Sequence, residues 1–281
     1  MVKKILLLVA GLILLCPGFF YFSRDNKTVE PCKYPQIHTF AEARESLAMA
    51  DELTFVFSDC DDTLISSSDY LPAKFSIPTS LTLLLLLKNP RLLWDKKYGE
   101  SVYSMMLERA PKMLVDPEAA GFFKMLRQQG AHFLAITGME TGSFGLIQSM
   151  PAWRAGVLKN FGVPLHNGFE NTVFDSLPSY RGNYPELFEG LICCNRMSKG
   201  MVIGAFLDCF KLKPMTVVLF DDSHEELESL EVECQKRGIE ALCYHFKGAS
   251  KIQYKPWSIW RAFRQIEHLM KHHEWLSDAV A

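Results

Sequence analysis

The chain has 281 residues, of which 48% are hydrophobic, and its formal charge at pH 7 is −2. This length and composition suffice for one large globular domain, or for a core domain with a cap, and argue against a disordered chain. The near-neutral charge and the lack of a basic stripe argue against a nucleic-acid partner.

The first predicted element is an apolar N-terminal segment. Lys3 and Lys4 precede an uncharged run over residues 5–22. This pattern indicates a secretion signal or a single membrane anchor over residues 1–24, and it leaves cleavage and retention open. The lysines predict a cytoplasmic N-terminus, so the body of the chain would be exported, with membrane association through the apolar run. Residues 25–38 are polar and are predicted to form a linker.

The eight cysteines do not follow a disulfide pattern. After Cys16 an odd number remains, without a repeated spacing, and Cys193 and Cys194 are adjacent. No C-x-x-C pair accompanies histidines in the arrangement typical of zinc sites. Most cysteines are therefore predicted to be buried apolar side chains, which conflicts with export into an oxidising compartment and leaves the compartment open.

From residue 39 onward, helical patterns alternate with short apolar strands. Thr39 and Glu42 form a capping pattern that predicts a helix to about Asp51. Residues 66–120 form a leucine-rich insertion punctuated by prolines, which predicts short helices. Strands are predicted over 53–58, 132–136 and 216–220, and further helices over 118–129, 153–160, 201–210 and 257–276. This alternation predicts an α/β fold with a parallel sheet covered on both faces.

Polar residues follow three of the predicted strands. They are Asp59 and Asp61, then Thr137, then Asp221 and Asp222, and Lys199 begins the helix before the third strand. In an open parallel sheet, ligands bind beyond the carboxyl ends of the strands where the strand order reverses. Two close carboxylates persist when a cation, a shared proton or a phosphoryl group lies between them. The set offers a nucleophile, an acid/base, a hydroxyl, a cation and metal-binding carboxylates, as phosphoryl transfer requires.

The order of these residues resembles the four motifs of the haloacid dehalogenase-like (HAD) superfamily, in its phosphatase branch. The motifs correspond here to Asp59-Cys60-Asp61-Asp62-Thr63, Thr137, Lys199 and Asp221-Asp222. The resemblance covers residues 53–227 and extends to an uncharacterised HAD-like family from intracellular bacteria. It implies a Rossmann-like core with a parallel sheet flanked by helices, over residues 39–65 and 121–276, and a helical cap over the insertion 66–120.

The resemblance also implies a role for each motif residue. Asp59 would attack phosphorus and form an aspartyl-phosphate, and Asp61 would serve as general acid and then general base. Thr137 and Lys199 would bind the phosphoryl oxygens. Mg²⁺ would be held by Asp59, by the backbone carbonyl of Asp61 and by an acid of the Asp221-Asp222 pair, with Asp222 favoured as the direct ligand.

The expected function is therefore Mg²⁺-dependent hydrolysis of a phosphomonoester, with a phosphorylated small molecule or a phosphoprotein as substrate. Two alternatives remain open at this point, a HAD-type phosphotransferase and a non-enzymatic HAD-fold binding protein tethered to a membrane. Within the first motif, Asp62 and Thr63 are expected to shape the loop, and by the resemblance Thr63 also supports the nucleophile. Cys60 is expected to be a buried apolar side chain.

Overall fold

A mostly parallel central sheet organises the protein. The structure is a computed structural model that describes residues 33–74, 79–165 and 168–281. The predicted leader over 1–24 and its membrane association lie outside these residues. The strands are β1 (Gln36–Ile37), β2 (Thr54–Asp59), β3 (Ile65–Ser67), β4 (Lys112–Leu114), β5 (His132–Thr137), β6 (Thr172–Val173), β7 (Glu186–Phe188), β8 (Leu191–Cys193), β9 (Thr216–Asp221) and β10 (Glu240–Phe246).

The strand order reverses at the centre of this sheet. Among the described residues, eight strands form one sheet in the order β1-β10-β9-β2-β5-β8-β7-β6. All neighbours are parallel except β8 with β7 and β7 with β6, which are antiparallel. The chain continues from β2 to β5 on one side, and later returns to β9 on the other. The carboxyl end of β2 is therefore a topological switch point, the place where ligands bind in such sheets.

Helices cover both faces of the sheet, as the sequence predicts for an α/β fold. They are α1 (Tyr70–Ala73), α2 (Thr79–Lys88), α3 (Lys96–Arg109), α4 (Ala119–Gln128), α5 (Met150–Asn160), α6 (Lys199–Cys209), α7 (His224–Arg237) and α8 (Ile259–His272). Successive side chains of β2 point to opposite faces of the sheet. Val56 packs in the core cluster that contains α4 and α5, whereas Phe55 and Phe57 pack in the cluster that contains α6 and α7.

The N-terminal boundary differs from the sequence prediction. Residues 36–37, within the predicted linker, form β1 and pair with β10. The predicted helix from Thr39 to about Asp51 is only a 3-10 helix over Phe40–Ala43, followed by turns. The predicted Thr39–Glu42 capping box is present. Beyond Ala43 the chain forms turns instead of a longer helix, because Phe40 and Leu47 are both buried in the core cluster against the sheet.

The insertion over 66–120 packs against the end of the chain. It contains α1, α2 and α3, as expected for short helices, and is joined to the sheet region through the antiparallel β3–β4 pair. Its apolar side chains, including Leu81 and Met105, form one cluster with Ile266 and Leu269 of α8. Asp69 accepts hydrogen bonds from the Trp275 indole N–H at 2.7 Å and from a backbone N–H near the C-terminus. The C-terminal helix, assigned from sequence to the core region, thus contributes to the core of the insertion.

Within the described ranges, no helix combines the length and the apolar character that a membrane crossing requires.

Candidate active site

A buried lysine joins two buried aspartates at the switch point. The Lys199 Nζ lies 2.5 Å from Asp59 Oδ1 and 2.5 Å from Asp221 Oδ2. Asp59 ends β2, Asp221 ends the neighbouring strand β9, and Lys199 is the first residue of α6. All three residues are buried. The fold thus brings Lys199 against two aspartates that lie 140 and 22 positions away from it in the sequence.

Three carboxylates come together in this cluster. Asp222, next to Asp221, adds the third, and one ligand oxygen from each acid lies within 4.8 Å of the others. Burial raises the pKa of Asp59 well above its ordinary value, Lys199 opposes this shift, and Asp221 and Asp222 add to it. Burial lowers the pKa of Lys199, but Asp59 and Asp221 outweigh it and hold the pKa of the ammonium above its ordinary value.

This oxygen set fits a hard divalent cation. Mg²⁺ takes oxygen ligands at about 2.1 Å, so two opposite ligands are roughly 4.2 Å apart, which is compatible with the spacing of the carboxylates. Asp222 is half-buried at the rim of the cluster. Asp221 is more enclosed, because its second oxygen, Oδ1, accepts a hydrogen bond from the Ser223 N–H at 2.9 Å. These contacts favour Asp222 as the acid of the pair that is more open to a ligand.

Tight packing of α6 on α7 fixes Lys199 in place. The Lys199 backbone N–H donates to Glu226 Oε2 at 2.7 Å, and the Gly200 N–H donates to Ser229 Oγ at 3.0 Å. A Cβ at Gly200 would lie 2.1 Å from the Ser229 carbonyl oxygen. Only glycine allows this close approach, so the backbone that carries Lys199 is positioned by α7.

Gly200→Ala is expected to destabilise the protein by about 1–3 kcal/mol, because the added methyl group must push α6 away from α7. Thermal unfolding followed by circular dichroism measures the loss. Gly156→Ala on α5 is the matched control, because a Cβ there meets nothing within 4 Å. That variant should be stabilised by about 0.5–1 kcal/mol through its higher helix propensity. Equal melting temperatures for the two variants would contradict the packing argument.

Asp61 is held apart from the buried cluster by an arginine. Asp61 Oδ1 accepts a hydrogen bond from Arg154 Nη1 at 2.8 Å, and the Asp61 side chain is 61% exposed. Arg154 lies on α5 and is buried, with its Nε lacking a hydrogen-bond partner. Burial lowers the pKa of this guanidinium, and Asp61 outweighs that effect and raises it overall. The Arg154 Cζ is 4.9 Å from the centre of the Trp153 ring.

The insertion contributes two further polar side chains near Asp61. Lys112 on β4 lies with its Nζ 5.6 Å from the Trp153 ring centre, and burial together with the charge of Arg154 lowers its pKa to about 8. Burial raises the pKa of Tyr103 on α3 to about 12, and the charge of Asp61 adds to that shift. Arg154, Lys112 and Tyr103 were not identified from the sequence. The burial of Arg154 could have been predicted from the sequence, because Arg154 shares a helix face with the apolar residue Leu158.

The other motif residues order the loops around the cluster. Thr137 is buried at the end of β5, and its Oγ1 accepts a hydrogen bond from the Met139 N–H at 3.2 Å. Asp62 has a φ of 60° and accepts a hydrogen bond from the Ser66 hydroxyl at 2.8 Å, which fits the expected loop-shaping role. Thr63 is buried and its Oγ1 has no hydrogen-bond partner, while Cys60 is fully buried among apolar side chains, as expected.

Comparisons with known proteins give a family but no activity. Residues 36–281 match the family model described as "Protein of unknown function (DUF2608)". Among similar curated proteins, one from Rickettsia bellii is 26% identical over 130 residues, 45% of this chain and 44% of the relative. One from Rickettsia felis is 25% identical over 185 residues, 62% of this chain and 61% of the relative. The chain thus spans about half to three-fifths of these relatives, both described as uncharacterized proteins. No solved structure matches it.

Proposed function

The chain belongs to the DUF2608 family of proteins of unknown function, and we propose that it is a Mg²⁺-dependent phosphomonoester hydrolase of the HAD type. The observation that carries this proposal is the contact of Lys199 with both Asp59 and Asp221 at the carboxyl edge of the sheet, where the strand order reverses. In this proposal the central sheet, including β1, and the helices on its two faces are the HAD core, and the insertion 66–120 with α8 packed against it is the cap.

The proposed reaction proceeds in two displacements. A carboxylate oxygen of Asp59 attacks phosphorus, the ester P–O bond breaks, and Asp61 gives its proton to the leaving oxygen. Asp61 then takes a proton from a water molecule, which attacks the phosphorus of the aspartyl-phosphate and releases orthophosphate and free Asp59. Asp61 suits this role because its side chain is exposed beside the buried nucleophile, while Arg154 fixes its orientation at 2.8 Å.

Charge neutralisation is the second requirement of the reaction. Lys199 lies against Asp59 and would contact a phosphoryl oxygen of the transferring group, and Thr137 would supply its hydroxyl. Asp59, the backbone carbonyl of Asp61, and Asp222 or Asp221 would hold Mg²⁺. The bound ion would offset the repulsion between the anionic nucleophile and the anionic substrate.

The test is an activity assay on the purified full chain with p-nitrophenyl phosphate. We expect release of p-nitrophenol and orthophosphate in equal amounts with Mg²⁺ and no turnover after removal of divalent ions with a chelator. A phosphotransferase would instead release less orthophosphate than p-nitrophenol when an alcohol acceptor is added. Absence of turnover with any divalent ion, in protein that still binds Mg²⁺, would contradict the proposal and favour a binding protein.

Mg²⁺ is expected to raise the melting temperature of the chain without any substrate. At a concentration 100 times its Kd a ligand adds about 2.7 kcal/mol, which corresponds to a rise of roughly 5–10 °C for a chain of this size. Differential scanning calorimetry with and without MgCl₂ measures this shift. Asp222→Asn should abolish most of this rise in melting temperature. Asp175→Asn, which makes the same change at an exposed position outside the cluster, should keep the full rise. An unchanged shift in Asp222→Asn would remove that residue from the metal site.

A further inference from the structure

Two cationic side chains lie near Asp61, the residue proposed to protonate the leaving group. Arg154 contacts Asp61 at 2.8 Å, and both Arg154 and Lys112 lie near the ring of Trp153, at 4.9 and 5.6 Å from its centre. One of them comes from α5 beside the sheet and the other from β4 of the insertion. The leaving-group side of the site is therefore built from both parts of the protein.

Lys112, the second cation of this pair, is partly buried and donates to backbone carbonyl oxygens rather than to an acid. Asp61 is the carboxylate paired with Arg154, and within the described residues Lys112 forms no ion pair and donates to the carbonyl oxygens of Leu107 and Ala110. Two other acids contribute charge to this region: Glu140 is already bridged by two other arginines, Arg181 and Arg196, and Glu108 near Lys112 is exposed to solvent. Arg154 also keeps one buried N–H without a partner. A buried guanidinium with unused donors favours a further anion.

From this arrangement we propose that the substrate carries a second anionic group on its leaving alcohol, and that Arg154 and Lys112 bind it. This inference rests on the proposed phosphatase function. It selects, among phosphomonoesters, those whose alcohol part bears a carboxylate or a further phosphate close to the ester oxygen. Uncharged sugars and simple alcohols would lack this contact.

The geometry limits how far that anion lies from the ester. A general acid stands about 3 Å from the oxygen that it protonates. Because Arg154 Nη1 is 2.8 Å from one oxygen of the Asp61 carboxylate, this nitrogen and the ester oxygen are at most about 8 Å apart, whichever carboxylate oxygen protonates the ester. An anionic group one to three bonds beyond the ester oxygen spans that distance, which points to small substrates with both charges close together.

The experiment compares two phosphate esters that differ only in this charge. Phosphoglycolate carries a carboxylate next to the ester carbon, and 2-hydroxyethyl phosphate carries a hydroxymethyl group in the same place. With the full chain and Mg²⁺, we expect kcat/KM for phosphoglycolate to exceed that for 2-hydroxyethyl phosphate by at least about tenfold, since a charge-assisted hydrogen bond is added. The ratio of the two values isolates the anion from general effects on activity.

Substitutions then assign the preference to the two cations. Arg154→Gln and Lys112→Gln should each reduce the ratio to within about threefold of one, while Arg154→Lys retains part of it. Arg44→Gln and Lys97→Gln are the matched controls, because both side chains are exposed and carry the same charge change. Both controls should keep the ratio of the unmodified chain. Lys112→Gln keeps the test decisive if the buried Arg154→Gln variant does not fold.

Two outcomes separate this inference from the proposed function. Equal kcat/KM for both esters in the unmodified chain, with turnover that requires Mg²⁺, would overturn the anion site and leave the phosphatase proposal standing. A preference that survives in both Arg154→Gln and Lys112→Gln would overturn the assignment to these residues. Absence of turnover with either ester and with p-nitrophenyl phosphate would overturn both proposals together.

Discussion

The Asp59→Asn variant is expected to lose at least about 10³-fold in kcat for p-nitrophenyl phosphate, because the amide cannot form the covalent intermediate. The variant removes one negative charge from a cluster in which three carboxylates lie close together and Lys199 contacts two of them. Its folded state should therefore be retained or made more stable, since the repulsion among the remaining acids falls. A large loss of activity without a loss of stability would identify a nucleophile and not a structural residue.

Steady-state kinetics and calorimetry on the same preparation check both parts of this result. Asp175→Asn makes the same chemical change at an exposed position and should keep kcat within about twofold. Trapping phosphorylated protein during turnover should succeed with the unmodified chain and fail with Asp59→Asn. Turnover of Asp59→Asn comparable to that of the unmodified chain would remove Asp59 from the role of nucleophile.

Lys199→Met is expected to be the most destabilising single change at the site. Methionine retains much of the side-chain volume but leaves Asp59 and Asp221 buried without their cation, which costs about 3–5 kcal/mol at neutral pH. The loss should depend on pH. Without the lysine, the folded pKa of Asp59 rises further above its unfolded value of about 3.9, so the penalty is absent below that pH and grows as the pH increases toward the folded pKa.

Urea unfolding of Lys199→Met at pH 4, 6 and 8 measures this dependence. The free energy of unfolding should approach that of the unmodified chain at the lowest pH and fall progressively below it at the higher values. Lys213→Met, at an exposed position, should stay within about 0.5 kcal/mol of the unmodified chain at every pH. A destabilisation that is the same at all three pH values would mean that packing, and not the buried charges, explains the loss.

The sequence predicted the three strands that carry the site, but it did not predict β10 or the surroundings of the site. The β2, β5 and β9 strands are short apolar runs bounded by polar residues, and both their existence and their shared edge follow from hydrophobic pattern and parallel topology. The structure of residues 39–51 was harder to predict. The local capping pattern at Thr39 is correct, but burial of Phe40 and Leu47 overrides the helix that was predicted to follow it.

The contact between Arg154 and Asp61 could not be predicted in the same way. Its two residues lie 93 positions apart, and no regular spacing links a helix after one strand to a loop after another. Lys112 is still less predictable, since it reaches the site through the β3–β4 pair of the insertion. The sequence therefore indicates the edge of the sheet where chemistry would occur, but not which charges surround the leaving group.

The packing of α8 against the insertion has a consequence for the order in which the protein folds. Ile266 and Leu269 complete an apolar cluster with Leu81 and Met105, so the insertion lacks part of its interior until α8 has been synthesised and has packed against it. Contacts across so long a stretch of chain form slowly, and the leucine-rich helices stay exposed to chaperones and proteases in the meantime. Packing of α8 is thus the step that shields the insertion.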